Sequence, residues 1–251
     1  MAEGVIKTAQ RVFEVLEYFR DVRRPLAVRE VSAHCRYPLS STAVLLKSMA
    51  TLGYLAYDGA LKAYFPTMQM AALGDWVLES MFARGEVFEL AEAIHQQCGE
   101  TVIVGVQNDV FVHYAHVIPS QHPLRFFTPV GTRRTLCLSG LGWAILSTQS
   151  DDTIRQQIAR TITRLGRTAK PINDEYVFEQ VEHVRKHGYA LSRGTITRGA
   201  SVIAIPLRMG GIDTRIGIAI GGPIERLDPE VPRLLELMRR QLDKFSLEKP
   251  R

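Results

Sequence analysis

The stretch at residues 38–55, PLSSTAVLLKSMATLGYL, constrains the fold more than any other part of this sequence. Its apolar residues Leu45, Met49 and Leu52 recur at three- and four-residue steps, which predicts a helix with one buried face. The opposite face carries small or polar residues almost throughout and no acidic residue. A helix face that serves only solubility usually carries Glu and Lys. The stretch therefore predicts a short helix whose exposed face lies close against another molecule.

The segments on either side of this helix complete a small unit. Helical periodicity in residues 5–20 and 26–35 predicts two further helices, joined to the third by a tight RYP turn. After the third helix, Asp58-Gly59 separates two short runs rich in Tyr and Phe, which is a hairpin signal. Three helices and a two-stranded hairpin within residues 1–66 have the outline of a winged helix-turn-helix domain.

In such a domain the third helix enters the major groove of DNA through its N-terminal residues. Ser40 or Ser41 is the expected N-cap, the small side chains allow close approach, and Lys47 adds charge. Val44 can meet a thymine methyl group. The expected partner is a double-stranded DNA operator, and the alternative is a winged helix used only for protein contact. The predicted DNA-binding residues are Ser40, Ser41, Thr42, Ala43, Val44, Lys47 and Ser48.

Composition adds broad constraints. The chain has 251 residues, a formal net charge of +5 and 46% hydrophobic residues, so it favours an anionic partner without specifying one. It has neither a signal-peptide apolar core nor an apolar run long enough to span a bilayer, and a cytoplasmic protein is expected. Its three cysteines form no CxxC pair and no His lies at zinc-site spacing, which predicts reduced thiols and no structural metal.

Residues 67–84 predict a helix that is apolar around much of its circumference. A helix of this kind needs more than one neighbour, so we expect it to link two domains and to pack against a second copy of the chain. Met81 and Phe82 are expected in that contact. The alternative is a connector that lies on its own second domain.

Residues 85–251 predict a single antiparallel sheet flanked by helices, an α+β arrangement. A hairpin within residues 101–117 turns at Asn108-Asp109, and RFFTPVG at residues 125–131 is strand-like. The other predicted elements are helices at residues 86–98, 139–147, 151–165 and 174–188, strands within YALSRGT, SVIAIPLRM and RIGIAIGG, and a final helix capped at Asp228-Pro229.

Six strings occur in a characteristic order along the chain: PLSSTAVLLKSMATLGYL, GETVIVGVQNDVFVHYAHV, SQHPLRF, VGTRRTLCLSGLG, EHVRKHGYALSRGTITRGASVIAIPL and IGIAIGGPIERL. In order and spacing they resemble the IclR family of bacterial transcription regulators over essentially the whole chain. The resemblance implies a winged helix-turn-helix DNA-binding domain at 1–66, a linker and dimerisation helix at 67–84, and a GAF/PAS-like effector-binding domain at 85–251. It also implies a homodimer or homotetramer that responds to a small effector.

The chain departs from the pattern of the family at several positions. LSRGT at residues 191–195 replaces a common acidic run, so an acid expected near Ser192 is absent. Val202, Ala219 and Gly221 replace polar pocket residues, which implies a less polar and roomier pocket, suited to an organic acid with an apolar or aromatic body. Val44 replaces a common Arg of the recognition helix, which bears on the operator sequence, and Cys137 and Trp143 replace a common His and a common Lys.

The effector site is expected where a helix begins at Ser139. Free N–H groups at Gly140–Gly142 can bind a carboxylate, and Arg193 can pair with it bidentately. The alternatives are an ordinary N-cap whose glycines allow tight packing, and a solvated Arg. The predicted effector-binding residues are Phe126, Ser139, Gly140, Leu141, Ser192, Arg193, Val202, Ala219 and Gly221.

Aromatic side chains can add an apolar wall to this site. Trp143, Phe126 and Phe127 are the candidates, although aromatic residues more often fill cores.

An enzyme is the alternative class. The sequence contains no nucleophile elbow, no phosphate-binding loop and no dinucleotide fingerprint. His113 and His116 stand three apart on a predicted strand and face opposite sides, so they are not expected to share a metal. No catalytic residue, metal ligand or cofactor is predicted. A hydrolase that uses Cys137, with the first domain as an oligomerisation module, and a regulator that senses no ligand stay open.

Overall fold

The chain forms two compact units, divided between Glu79 and Ser80. Among the described residues no helix is both long and apolar enough to cross a membrane. The computed structural model describes residues 6–81, 86–166, 172–207 and 215–245.

Residues 6–81 contain α1 (Lys7–Val22), α2 (Val28–Cys35), α3 (Leu39–Thr51), β1 (Leu55–Asp58), β2 (Ala63–Pro66) and α4 (Met68–Met81). The Glu30 carboxylate accepts a 2.8 Å hydrogen bond from the Ala27 N–H and so caps the start of α2. A single antiparallel bridge joins Leu26 to Tyr64 and ties this start to the hairpin of β1 and β2. The predicted winged helix-turn-helix is therefore confirmed.

The buried face of α3 differs from the predicted one. Thr42, Leu46 and Met49 are buried, whereas Leu45 is only partly buried and Leu52 is 65% exposed. The predicted and the observed buried residues have the same helical spacing, but the observed set lies three residues earlier in the chain. Of the predicted buried residues, only Met49 belongs to the observed core.

The start of α3 also differs from the prediction. The helix begins at Leu39, directly after Pro38, and no side chain caps it, so the predicted serine N-cap is wrong. The hydroxyls of Ser41 and Thr42 instead donate to the Pro38 carbonyl, each at 3.0 Å. This acceptor satisfies the hydroxyl of Thr42 and allows the residue to be buried.

The predicted linker helix is present as α4. Its residues Met68 and Leu73 expose 82% and 53% of their surfaces. The side chain of Met81 and the whole of Phe82 lie outside the described residues. Pairing through this helix stays a prediction.

The second unit is an α+β domain with one antiparallel sheet flanked by helices, as predicted. Its elements are α5 (Glu86–Cys98), β3 (Thr101–Asn108), β4 (Phe111–Ile118), β5 (Arg133–Thr135), α6 (Gly140–Leu146), α7 (Asp151–Leu165), α8 (Asp174–His187), β6 (Ala190–Arg193), β7 (Ala200–Leu207), β8 (Ile216–Pro223), α9 (Ile224–Leu227) and α10 (Val231–Lys244). Within the described residues the sheet has six strands, in the order β5-β4-β3-β8-β7-β6.

Two predicted elements of this unit are wrong in detail. RFFTPVG at residues 125–131 forms no strand, and its end lies in a turn closed by a 3.2 Å hydrogen bond from the Thr132 N–H to the Pro129 carbonyl. The strand β5 begins only after this turn. Asp228 does not cap the last helix, since Asp228–Glu230 is a turn of 3-10 helix and α10 begins after it.

Helices cover both faces of the sheet. On one face Ile94 of α5 and Met238 of α10 pack against Val104, all three fully buried. On the other face α6, α7 and α8 pack over a smaller-residue surface that includes Ala204 and Ala219. The small residues allow α6 to lie close to the strands.

Leu141 fixes α6 at the centre of the sheet. It lies over Gly105 and Gly217, which are partners across β3 and β8. A Cβ atom would lie 2.3 Å from Leu141 Cδ2 at the first glycine and 2.8 Å from Leu141 Cδ1 at the second. The two glycines thus form a socket that any larger residue would fill, and we call it the Gly105–Gly217 socket.

Glu100 and Arg226 hold the loop that follows β4. The Glu100 side chain is 5% exposed and pairs with the Arg226 guanidinium through Nε and, at 2.8 Å, through Nη2. The same guanidinium donates to the Leu124 carbonyl at 3.1 Å. This Glu100–Arg226 clasp therefore anchors the loop that carries Phe126.

Two neighbouring glycines in β8 allow a matched test of packing. A Cβ atom at Gly222 would lie 2.5 Å from Leu227 Cδ1 and 2.8 Å from a Glu100 carboxylate oxygen. At Gly221 the nearest atom is Val202 Cγ2 at 3.7 Å, an ordinary contact. We expect Gly222→Ala to lower the free energy of unfolding by about 1–3 kcal/mol and Gly221→Ala to change it little, measured by urea unfolding. Equal losses in both variants would contradict this packing.

Candidate functional sites

The first candidate site is the exposed face of α3. Val44 is 66% exposed, and the whole helix contains no acidic residue. The structure brings six of the predicted DNA-binding residues to this surface or its margin. Ser40, Val44, Lys47 and Ser48 are exposed, and Ser41 and Ala43 are partly exposed.

Thr42 is the predicted DNA-binding residue that the structure does not bring to this surface, because it is 1% exposed. Two hydroxyls of this face also donate hydrogen bonds to backbone carbonyls about one helical turn earlier in the chain. Ser41 donates to the Pro38 carbonyl at 3.0 Å and Ser48 to the Val44 carbonyl at 2.9 Å. Short side chains held in this way give the face a low profile, which suits close approach to phosphates and base edges.

A groove of about 610 Å³ runs between α1 and the same face of α3. Arg11 lies in this groove with its guanidinium carbon 4.6 Å from the centre of the Tyr37 ring, and the Tyr37 hydroxyl donates to Glu14. Arg11 thus adds a cation beside the predicted surface. The sequence does not predict this position, because α1 shows only apolar periodicity.

The second candidate site is a cavity of about 70 Å³ in the α+β unit. It lies between the start of α6, strands β3 to β8 and the loops around residues 126–128 and 195–197. Seven of the nine predicted effector-binding residues line it. They are Phe126, Ser139, Gly140, Leu141, Ser192, Val202 and Gly221.

The structure places the other candidates elsewhere. The Arg193 side chain is 54% exposed and its Nε donates to Asp228 at 2.5 Å, so it does not line the cavity. Ala219 and Trp143 are fully buried in the core, and the Trp143 indole N–H donates to the Cys137 carbonyl at 2.9 Å. Phe127 is 90% exposed. Of the aromatic candidates, only Phe126 reaches the cavity.

The cavity is smaller than the roomy pocket expected from the sequence, but most of its lining surface is apolar. A cavity of about 150 Å³ accommodates benzene, so an aromatic acid requires this one to open. Val202 and Gly221 do remove polar groups, but neighbouring strands and loops supply others. The polar side chains of the lining are Thr101, Tyr114, Thr128, Arg134, Ser139, Ser192, Thr195, Thr197 and Ser201.

The glycines at the start of α6 have a packing role. A Cβ atom at Gly142 would lie 1.9 Å from the Leu136 carbonyl oxygen, and one at Gly140 would lie 2.9 Å from the Ser192 Cβ. The Ser139 hydroxyl accepts the Gly142 N–H at 3.2 Å, so one of the predicted anion-binding groups is already engaged. These contacts favour the ordinary N-cap over a site made by the helix start.

Arg134 is a lining residue that sequence analysis missed. It lies in the edge strand β5, beside the hydroxyl of Tyr114. Burial raises the pKa of Tyr114, and the neighbouring guanidinium opposes that rise. The two side chains present hydrogen-bond donors to one wall of the cavity.

Cys137 lacks the properties of a catalytic thiol. It is fully buried, its sulfur lies 3.6 Å from the Thr161 hydroxyl, and burial raises its pKa to about 11. A reactive cysteine needs a lowered pKa and an accessible sulfur. Among the described residues no group of three or more His, Cys, Asp or Glu is placed to hold a metal ion.

Alkylation with iodoacetamide at pH 8 tests this assignment. Three pH units below its pKa, only about one Cys137 thiol in a thousand is ionised, so we expect no modification in the folded protein. Cys35, which is partly exposed, serves as the internal control, and denaturant should make all three cysteines reactive. Rapid modification of folded Cys137, detected by peptide mass spectrometry, would contradict the assignment.

A winged helix-turn-helix unit joined to an α+β unit with a small internal cavity defines the class of DNA-binding regulators that carry an effector-binding domain. The sequence matches the family models described as "IclR helix-turn-helix domain" over residues 8–59 and "Bacterial transcriptional regulator IclR C-terminal" over residues 78–247. The chain belongs to the IclR family of bacterial transcription regulators. Members of this family are DNA-binding regulators and not enzymes.

Individual relatives agree with this assignment. The chain is 23% identical to the HTH-type transcriptional regulator KdgR of Escherichia coli, over 86% of this chain and 80% of that protein. It is also 23% identical to the transcriptional repressor IclR of Escherichia coli, over 90% and 83% of the two chains. An IclR homolog from Microbacterium hydrocarbonoxydans, solved in complex with 4-hydroxybenzoate, has the same fold. It has a TM-score of 0.75 and 18% identity over 95% of this chain and 97% of the other.

Proposed function

We propose that this protein binds a palindromic operator as a homodimer or homotetramer and that a small organic acid controls the binding. The observation that carries the proposal is the exposed, acid-free face of α3, with Val44 and Lys47 at its centre and short side chains around them. A surface of this kind can enter the major groove without repelling phosphates. The effector is expected to change the spacing or angle of paired DNA-binding units.

Pairing of two chains is supported by the exposed apolar residues of α4. Met68 and Leu73 lie on a helix whose sequence is apolar around much of its circumference. Two-fold pairing would match the symmetry of a palindromic operator. Sedimentation velocity at micromolar concentration tests this part of the proposal, and a stable monomer would contradict it.

An organic acid is supported as effector by the cavity and by Arg134, the cation among its described lining residues. Hydroxyl and guanidinium donors suit a carboxylate, and Phe126 adds an apolar wall. The homolog solved with 4-hydroxybenzoate shows that one protein of this fold binds an aromatic acid. In this chain an aromatic body would require the loops around the cavity to move.

The direct experiment is a mobility shift with the intergenic DNA on both sides of the gene. We expect the purified chain to retard one of these duplexes, with an affinity that falls steeply as salt rises because bound phosphates release counterions. An unrelated duplex of equal length is the control. No specific shift at low salt with either intergenic duplex would contradict the proposed function.

A further inference from the structure

The position of Arg134 in the sheet directs it toward the cavity. Arg134 lies opposite Val112 across β4 and β5, and directly opposed residues share one face of a sheet. Val112 is fully buried on the face that packs against α6. The preceding residue, Arg133, lies opposite His113 and belongs to the other face. Of these two consecutive arginines, only Arg134 is among the residues that line the cavity.

Arg134 also differs in its partners from Arg193 and Arg226, two other arginines of this unit. Arg193 pairs with Asp228, and Arg226 pairs with Glu100. Within the described part of the chain no carboxylate forms an ion pair with Arg134, whose guanidinium lies beside the uncharged hydroxyl of Tyr114. A half-buried guanidinium without a counter-charge favours binding of an anion that restores the pairing.

From this arrangement we propose that Arg134 binds the acid group of the effector, which is therefore a carboxylate and not a neutral molecule. The inference rests on the proposed function and adds the residue that selects the ligand. It replaces Arg193 and the start of α6 as the expected carboxylate contact.

Tyr114 completes the contact. It is buried beside the Arg134 guanidinium, and its O–H can donate to a ligand oxygen. The guanidinium offers further N–H donors in a fixed plane. One carboxylate can thus accept bonds from both side chains, whereas the NH₂ group of the corresponding amide would face the guanidinium, which has no acceptor.

The test compares acids with their amides by thermal shift and isothermal titration on the full-length chain. The probes are acetate, pyruvate, benzoate and 4-hydroxybenzoate, each against its amide. We expect at least one acid to bind and its amide not to bind. Arg134→Met should raise the Kd of that acid roughly 10- to 100-fold, and Arg134→Lys should lose part of the affinity.

Arg133→Met is the matched control, because it removes the same charge from the adjacent residue on the other face of the sheet. It should bind the acid like the unaltered protein. Equal loss in both variants, equal binding of an acid and its amide, or no binding of any acid would each overturn the proposal. Operator binding by the unaltered protein is measured in the same preparation. A specific operator shift without acid binding overturns only the role of Arg134, whereas absence of the shift contradicts the proposed function.

Discussion

Replacement of Arg226 by Met is expected to lower the free energy of unfolding of the second unit by about 3 kcal/mol. The substitution leaves the Glu100 carboxylate, 5% exposed, without its guanidinium partner. It also removes the donor that holds the Leu124 carbonyl. The expected loss lies at the lower end of the range for buried pairs because 30% of the Arg226 side chain is exposed. Urea unfolding followed by circular dichroism measures it.

A double variant separates the buried charge from other consequences. Glu100→Gln combined with Arg226→Met removes the carboxylate charge that Arg226→Met alone leaves without its guanidinium partner. We expect the double variant to be more stable than Arg226→Met alone, with a coupling energy of about 1–3 kcal/mol between the two positions. Additive losses, or an Arg226→Met variant as stable as the unaltered protein, would show that the Glu100–Arg226 clasp does not stabilise this unit.

Replacement of Val44 by Glu is expected to weaken operator binding about 100-fold, because a carboxylate on the exposed face of α3 faces phosphates and base acceptors. Val44 is 66% exposed, so the melting temperature should stay unchanged. The measurement is a mobility shift at fixed salt, with melting followed in parallel.

Thr51→Glu is the control for the Val44 substitution. It makes the same change in charge on the same helix, at an exposed residue of its last turn. Because the N-terminal part of the helix is expected to lie in the groove, the control should lose much less affinity. Equal losses from both variants would indicate a general charge effect. A large fall in melting temperature for Val44→Glu would place the residue in the core.

The sequence predicts the helices of the first unit well but not the rotation of α3. Leu45, Met49 and Leu52 share a helical stripe, and so do Thr42, Leu46 and Met49. Polarity alone favours the first set, because Thr carries a hydroxyl. The structure uses the second set, since the Pro38 carbonyl satisfies that hydroxyl. The decisive partner is a backbone atom, which residue patterns do not reveal.

In the second unit the strands on both sides of the cavity follow from the sequence, and most of the predicted effector-binding residues line it. Ser192 and Arg193 are consecutive in β6, and side chains alternate between faces, so only one of them can face the cavity. The structure selects Ser192. Arg134 is not predicted, for a different reason. The strand is expected at residues 125–131 and not at β5, which has only three residues.

The Gly105–Gly217 socket has a consequence for how regulators with this scaffold can diversify. Leu141 forms both part of the cavity wall and the contact that seats α6 on the sheet, so a new side chain there changes ligand choice and folding together. Gly221 does not have both roles, because a methyl group added there would make only ordinary van der Waals contacts. Related regulators that acquire new effectors should therefore accumulate substitutions at positions such as 221 and 134. The residue at 141 should change less often, even between proteins that bind different metabolites.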